Sequence, residues 1–217
     1  MNKLLALITA SFMLLSSAAY SEMRFGVSGA LTYIEASGTE TEGGEKNSTT
    51  VDSIAIIPSI FVEYDAGNNL SVGLDYIPLD ADVSNKTKSR TDTETSVTDT
   101  VAEVQTSRTQ KAQAELSDHI TLYANYDMGS YYLKAGVAQV TIETSESLDT
   151  GSKYGSADVY GGVFGVGRQD GNTRFELVYT NYEEVSLSST VARTGVTTNN
   201  KIDADLDTLS LKYSYVF

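Results

Sequence analysis

Apolar and polar side chains alternate along the last nine residues of the chain, LSLKYSYVF, and this alternation constrains the fold more than any other feature. Successive side chains of a β-strand point to opposite faces, so Leu209, Tyr213 and Phe217 share one face. Ser210 and Lys212 lie on the other face. Such a strand has one apolar side and one largely polar side.

The same period of two recurs in earlier segments, which come in pairs joined by short connections rich in turn residues, at 65–69, 127–130 and 169–172. Longer polar segments precede or separate the pairs. The pattern predicts eight antiparallel strands with three short turns and four long loops. The loops are expected at 36–50, 83–113, 143–156 and 184–205. The second of them alternates enough to be a candidate for a long ribbon that projects from the body.

The first 21 residues have the order of a secretory signal peptide. Lys3 is followed by an apolar run from Leu4 to Leu15 and by small residues around Ala19. We expect cleavage after Ser21, which leaves residues 22–217 as one domain. The alternative, a membrane anchor or a buried helix, fits less well because a spanning helix needs about 20 apolar residues.

Composition argues against several classes of function. The net charge is −14, or about −15 without Lys3, which disfavours nucleic acid and anionic lipid as partners. Cysteine is absent, so neither a disulfide framework nor a lipid-anchored N-terminal cysteine is expected. Nothing in the sequence calls for a cofactor. Since no later segment has the length of a transmembrane helix, residence in a membrane would require β-structure.

Export, one-sided strands and alternating short and long connections are typical of an up-and-down outer-membrane β-barrel. An unpaired strand edge is costly in hydrocarbon, so the last strand is expected to pair with the first. The alternative is a soluble β-sandwich or lipocalin-like barrel with its apolar faces inward, but its exterior would then carry few charges. Tyrosines on the apolar faces are expected to form interfacial girdles; these are Tyr33, Tyr64, Tyr76, Tyr126, Tyr131, Tyr179, Tyr213 and Tyr215.

The chain resembles the small eight-stranded bacterial outer-membrane barrels, including the membrane domain of OmpA and its stand-alone relatives. The resemblance rests on the signal peptide and on the stretches GNNLSVGLDYIPL, NTRFELVYTNY and LSLKYSYVF. In that family a terminal aromatic strand is similar to the signal read by the barrel-assembly machinery. Tyr213, Tyr215 and Phe217 match this signal, whereas the glycine often found earlier in it is missing.

The resemblance implies a bacterial outer-membrane location, contact with lipid and lipopolysaccharide, a monomer and no periplasmic domain. One departure is Pro58 in the second strand, because proline cannot donate to a β-ladder. We expect a β-bulge at this residue.

Seven charged residues are predicted on the inward face of the barrel: Arg24, Glu63, Asp75, Lys134, Arg174, Glu176 and Lys212. The lumen of an eight-stranded barrel is barely wide enough for side chains, so these groups are expected to pair and to plug it. The alternative is a narrow or gated pore for small solutes.

His119 is the only histidine, and Ser117 precedes it by two residues on the same face. A lipid-modifying hydrolase is therefore a distant alternative, although no acidic partner can be placed and both residues face the lumen. The acidic stretches TETEGGE and TDTET could hold divalent cations, but charged loops are usually solvated tips. The sequence favours a non-enzymatic barrel with a structural or surface-interaction role.

Overall fold

The computed structural model describes residues 23–42, 45–83, 88–98, 101–147, 154–189 and 200–217. At positions 42, 45, 47, 88–98, 101–113 and 145–147 it describes the backbone only. The predicted signal peptide, residues 1–21, lies outside these ranges. No helix in the part of the chain that is described is long and apolar enough to cross a membrane.

Eleven strands account for most of the described chain. They are β1 (Met23–Glu42), β2 (Glu45–Gly67), β3 (Leu70–Ile77), β4 (Ala81–Asp82), β5 (Lys88–Thr98), β6 (Val101–Asp127), β7 (Tyr132–Ser147), β8 (Ser156–Asp170), β9 (Thr173–Tyr182), β10 (Val185–Ser188) and β11 (Lys201–Val216).

Eight of these strands form a closed antiparallel barrel. Their order around the barrel is β1-β2-β3-β6-β7-β8-β9-β11, and β11 pairs back onto β1 from Gly26↔Val216 to Thr41↔Lys201. Closure leaves no free edge between the first and last strands. This is required in hydrocarbon, where unpaired backbone N–H and C=O groups find no hydrogen-bond partner. The predicted eight-stranded up-and-down barrel is confirmed.

Three tight turns lie at one end of the barrel, which we call the short-turn end; the opposite end is the loop end. Backbone at the first turn has positive φ at Gly67, Asn68 and Asn69, a conformation that glycine and asparagine tolerate best. The Asp127 side chain accepts a hydrogen bond of 2.7 Å from Gly129 N at the second turn. These local preferences explain why the turns are recognisable in the sequence.

The strands extend further at the loop end than the apolar pattern indicates. β1 and β2 stay paired to Glu42↔Glu45, so most of the polar segment 36–50 is strand and not loop. β5 and β6 form the expected ribbon, paired from Lys88↔Ala112 to Thr98↔Val101. Threonine favours extended backbone, and polar residues on both faces suit strands that are solvated on both sides.

A broad belt of apolar side chains covers the outside of the barrel. Leu211 is 58% exposed and Phe217 is 70% exposed, and seven of the eight girdle tyrosines are exposed as well. An apolar surface of this extent on all sides is stable only in contact with lipid hydrocarbon. The apolar faces point outward, which rules out the soluble alternative with those faces inside.

The bulge expected at Pro58 is absent. The β1–β2 register runs unbroken through Gly29↔Pro58, and the bulge of β2 lies between Asp65 and Gly67. Phe217 N donates a backbone hydrogen bond to Phe25 O on β1. The backbone N–H and C=O groups of every second β1 residue from Phe25 onward, including Gly29, therefore point toward β11 and away from β2. The backbone of Pro58 therefore faces the β3 side, where the β2–β3 ladder has already ended at Ile60↔Tyr76.

Candidate functional site

A buried ion pair between Arg174 and Glu63 lies in the lumen nearest the short-turn end. Arg174 Nη1 and Nη2 lie 2.9 and 3.0 Å from the two carboxylate oxygens of Glu63, a bidentate arrangement. Asn125 donates a further hydrogen bond of 2.9 Å to Glu63, and Gln169 Oε1 accepts one of 2.8 Å from Arg174. Both charged side chains are only 2–3% exposed. The attraction between them therefore has to offset the cost of removing each charge from water.

A second ion pair, between Lys134 and Glu176, lies next to the first. Its two side chains are almost completely buried. Lys134 Nζ also lies 4.2 Å from the centroid of the Tyr123 ring, and the Tyr123 hydroxyl donates a hydrogen bond of 3.2 Å to Glu63. Tyr123 therefore joins the first pair to the second.

The third pair joins Lys212 to Asp75. Ser59 contacts both charges, because its hydroxyl donates a hydrogen bond of 3.1 Å to Asp75 and accepts one of 2.9 Å from Lys212. Glu176 lies directly opposite Lys212 in the β9–β11 register. The three pairs consequently form one continuous layer of charge across the barrel.

Arg24 lies apart from this layer. Its guanidinium is 3.1 Å from Asp65 at the mouth of the short-turn end, and the two side chains are 32% and 42% exposed. Sequence reasoning assigned Asp65 to a turn and so missed this pair. Exposed pairs of this kind contribute little to stability. Six of the seven predicted lumen charges therefore pair with one another, and the seventh pairs with an unforeseen partner.

The loop-end half of the lumen is mainly apolar, which corrects the prediction that a polar network fills the barrel. The sequence analysis ended several strands too early at the loop end. It therefore overlooked the apolar residues that point into the lumen from the last part of each strand. The buried cluster comprises Ile34, Val83, Leu116, Ala138, Val140, Ile142, Tyr154, Val159, Val163, Tyr182, Val185, Leu187 and Leu206. The lumen thus carries ion pairs toward one end and mainly apolar side chains toward the other.

Inward glycines make room for aromatic rings on neighbouring strands. A Cβ atom on Gly167 would overlap the ring of Tyr132, and one on Gly73 would overlap the ring of Tyr123. Glycine at such positions allows a large ring to lie flat on the barrel wall. The rings of Tyr132 and Phe61 in turn lie 5.3 and 5.4 Å from the Arg174 guanidinium carbon.

We expect Gly167→Ala to lower the free energy of unfolding by about 1–3 kcal/mol, because the new methyl group forces Tyr132 out of its place. Denaturant titration of the refolded barrel measures this loss. Gly29→Ala is the matched control, since a Cβ there meets nothing within 4 Å. An equal effect of both substitutions would show that glycine acts through the backbone and not through the space it leaves.

His119 lies at an irregularity of the barrel wall. Asp118 has φ of 49°, and the β6–β7 register shifts between Ser117 and Ile120. His119 Nε2 is 2.8 Å from the hydroxyl of Tyr182 on β9, so the two side chains form a bridge across the lumen. Ser117 donates instead to the carbonyl of Thr141, at 3.5 Å. The Ser–His contact that a hydrolase would use is therefore not formed between these two residues.

A cavity of about 100 Å³ lies in the lumen beside this bridge. Asp75, Lys212 and His119 are among the polar residues that line it, and Ile57, Ile77 and Leu79 are among the apolar ones. Sequence reasoning gave no signal for it.

Metal-ligating residues do not converge anywhere in the described part of the chain, where no group of three or more His, Cys, Asp or Glu side chains could hold an ion. The TDTET side chains lie outside the described residues.

Beyond the apolar belt, Lys201 Nζ is 2.8 Å from Asp203, and this hydrogen-bonded ammonium lowers the pKa of the Asp203 carboxyl.

No protein-family model matches the sequence, and no curated protein is significantly similar to it. Solved structures do match it in shape. The outer membrane protein OprG from Pseudomonas aeruginosa is 11% identical, with a TM-score of 0.53 over 91% of this chain and 97% of that one. The chain has the fold of an outer-membrane β-barrel.

Two further structures align along most of the chain. Neisserial surface protein A is 13% identical, with a TM-score of 0.43 over 90% of this chain and 98% of that one. The attachment invasion locus protein Ail of Yersinia pestis is 13% identical, with a TM-score of 0.40 over 90% and 99% of the two chains. The resemblance to the OmpA membrane domain in particular stays a prediction.

Proposed function

We propose that the protein is a non-enzymatic barrel of the bacterial outer membrane, with a closed lumen and a structural or surface-interaction role. The observation that carries this proposal is the layer of three buried ion pairs across the lumen. Moving an ion through this layer would require breaking pairs whose side chains are almost completely buried. The apolar cluster at the loop end adds a second barrier.

The distribution of the connections supports a role at the cell surface. In outer-membrane barrels the short turns face the periplasm, so the strand extensions of β1, β2, β5 and β6 would project outward. These extensions are rich in Thr, Ser and Glu and carry few apolar residues. Such polar projections suit contact with another surface. We extend the proposal to lipopolysaccharide, whose phosphates the carboxylates would meet through bridging divalent cations.

The end of the chain supports insertion by the barrel-assembly machinery. Phe217 and Tyr215 point outward, and their rings meet edge to face with centroids 5.3 Å apart. Phe217 N donates to Phe25 O at the seam where the barrel closes. The aromatic residues proposed as an assembly signal thus lie beside the last pairing that completes the barrel. We propose that the inserted barrel is a monomer.

The bonding of His119 and Ser117 supports the non-enzymatic part of the proposal. His119 Nε2 is engaged by Tyr182, and the Ser117 hydroxyl is turned toward the Thr141 carbonyl. A nucleophilic serine requires a base within hydrogen-bonding reach, and neither contact provides one.

Planar-bilayer recording tests the closed lumen. Residues 22–217, refolded and inserted, are expected to give no discrete current steps, because ion pairs and apolar side chains obstruct the lumen. A porin recorded under the same conditions controls for insertion and detection. Reproducible steps of uniform size from the folded protein would contradict the proposal and support the narrow-pore alternative.

A further inference from the structure

The ribbon of β5 and β6 leaves one strand edge without a partner. β5 pairs with β6 from Lys88↔Ala112 to Thr98↔Val101, and with no other strand in the described part of the chain. The backbone N–H and C=O groups along its second edge are therefore available to an added strand. This edge of 11 residues is roughly 35 Å long, at about 3.3 Å per residue.

β5 runs away from the barrel body. β6 ends at Asp127, at the short-turn end, and β5 is antiparallel to β6. Lys88 therefore lies at the base of the ribbon and Thr98 near its tip. When the short turns face the periplasm, β5 runs outward from the cell surface.

The charged residues of β5 are complementary to the same residues in reverse order. Lys88 and Arg90 are basic and Asp92 and Glu94 are acidic, and all four share one face of the strand because they occupy every second position. In an antiparallel pair of two β5 strands with Thr91 on the two-fold axis, Lys88 of each copy would lie opposite Glu94 of the other. Arg90 would lie opposite Asp92 in the same way. Opposite charges at opposed positions stabilise such a pair.

The orientation of the barrels decides which two copies can pair in this register. Two barrels in one membrane both send β5 outward, so their β5 edges run parallel to each other. Parallel pairing in register would place Lys88 beside Lys88 and Asp92 beside Asp92, and like charges at opposed positions destabilise the pair. Barrels in two facing membranes send β5 in opposite directions. Only these copies present antiparallel edges.

The sequence of the ribbon is electrically neutral, in contrast to the chain as a whole. Residues 88–112 contain four basic and four acidic residues, whereas the net charge of the whole chain is −14. Two strongly acidic proteins repel each other at most orientations. An approach through their neutral ribbons avoids most of this repulsion.

We propose that β5 joins this protein to a second copy of itself in a facing membrane, by antiparallel pairing of their open edges from Lys88 to Glu94. The proposal names a partner for the proposed surface-interaction role and rests on that role, but not on a closed lumen. Within its own membrane the barrel stays a monomer. One pairing of this length is weak, and many copies on each membrane strengthen it because the first contact raises the effective concentration of the others.

Docking of two vesicle populations tests the identity of the partner. Residues 22–217 are refolded into phosphatidylcholine vesicles labelled with either a donor or an acceptor dye, and energy transfer between the vesicles measures docking. We expect transfer when both populations hold the barrel and none when only one population does. Transfer no greater than between protein-free vesicles, or equal transfer with protein on one side only, would overturn the proposal. Current recording tests the closed lumen independently of either result.

Cysteine cross-linking tests the geometry of the pairing. The chain has no cysteine, so Thr91→Cys places a single thiol at the two-fold axis, where the two copies would be close enough to form a disulfide. We expect covalent dimers of Thr91→Cys in docked, oxidised vesicles and none of Thr98→Cys, which the antiparallel register holds far from its counterpart. Parallel pairing within one membrane would cross-link both variants equally. That result, or the absence of Thr91→Cys dimers, would overturn the proposal.

Charge reversal tests the register. Lys88→Glu with Arg90→Glu should abolish docking between vesicles that carry the same variant, and so should Asp92→Lys with Glu94→Lys. Mixing the two kinds of vesicle restores opposite charges at all of the opposed positions, so docking should return. Failure of the mixed vesicles to dock would contradict the register.

A second charge-reversal variant on β6 is the matched control. Arg108→Glu with Lys111→Glu changes the net charge by the same amount as Lys88→Glu with Arg90→Glu, but lies on the strand that does not carry the open edge of β5. We expect this variant to dock nearly as well as the unaltered chain. Loss of docking as complete as in the β5 variant would show that net charge governs docking, and would overturn the proposed strand pairing.

Discussion

Arg174→Met is expected to lower the free energy of unfolding of the barrel by about 3–5 kcal/mol, because it leaves the buried carboxylate of Glu63 without its cation. The hydrogen bonds from Asn125 and Tyr123 remain but carry no positive charge. Urea titration in lipid vesicles, followed by circular dichroism, measures the loss.

Two further variants separate the charge from the packing. The double variant Glu63→Leu with Arg174→Met removes both charges and should recover most of the stability. Arg24→Met removes a half-exposed pair with Asp65 and should cost less than about 1 kcal/mol. If Arg174→Met cost no more than Arg24→Met, the Glu63 carboxylate would have access to water and the lumen would not be sealed at this level.

Leu211→Arg is expected to lower the free energy of unfolding by about 2–4 kcal/mol, because it places a charge on the lipid face of β11 near the middle of the bilayer. Leu211 is 58% exposed and lies between the girdle residues Tyr33 and Tyr179 on one side and Tyr213 on the other. The same urea titration measures the effect.

Ser186→Arg is the matched control for this charge. Ser186 is exposed on β10, beyond the apolar belt at the loop end, where an added arginine should change stability by less than about 0.5 kcal/mol. Equal effects at the two positions would contradict the assignment of the belt to hydrocarbon.

The face on which each residue lies could be predicted from local sequence. Leu209, Leu211 and Tyr213 alternate with Ser210 and Lys212, and the structure places the first set outward and the second inward. The three short turns followed from their turn residues for the same local reason. The prediction failed where both faces of a strand are polar, because the apolar–polar alternation is then missing. Residues 36–50 were therefore predicted to be a loop, although their threonines and glutamates continue the strands beyond the membrane.

The sequence by itself determined the period of two, the outward belt, the number of barrel strands and the set of inward charges, because each depends on neighbours within a few residues. Only the tertiary structure decided which charges meet: Glu63 and Arg174 are 111 residues apart, and register around the closed barrel brings them together. The same long-range register brings His119 next to Tyr182. The side of the barrel on which a side chain lies depends on its own strand alone. The residue that it contacts across the lumen depends on the register of the whole closed sheet, which local sequence does not encode.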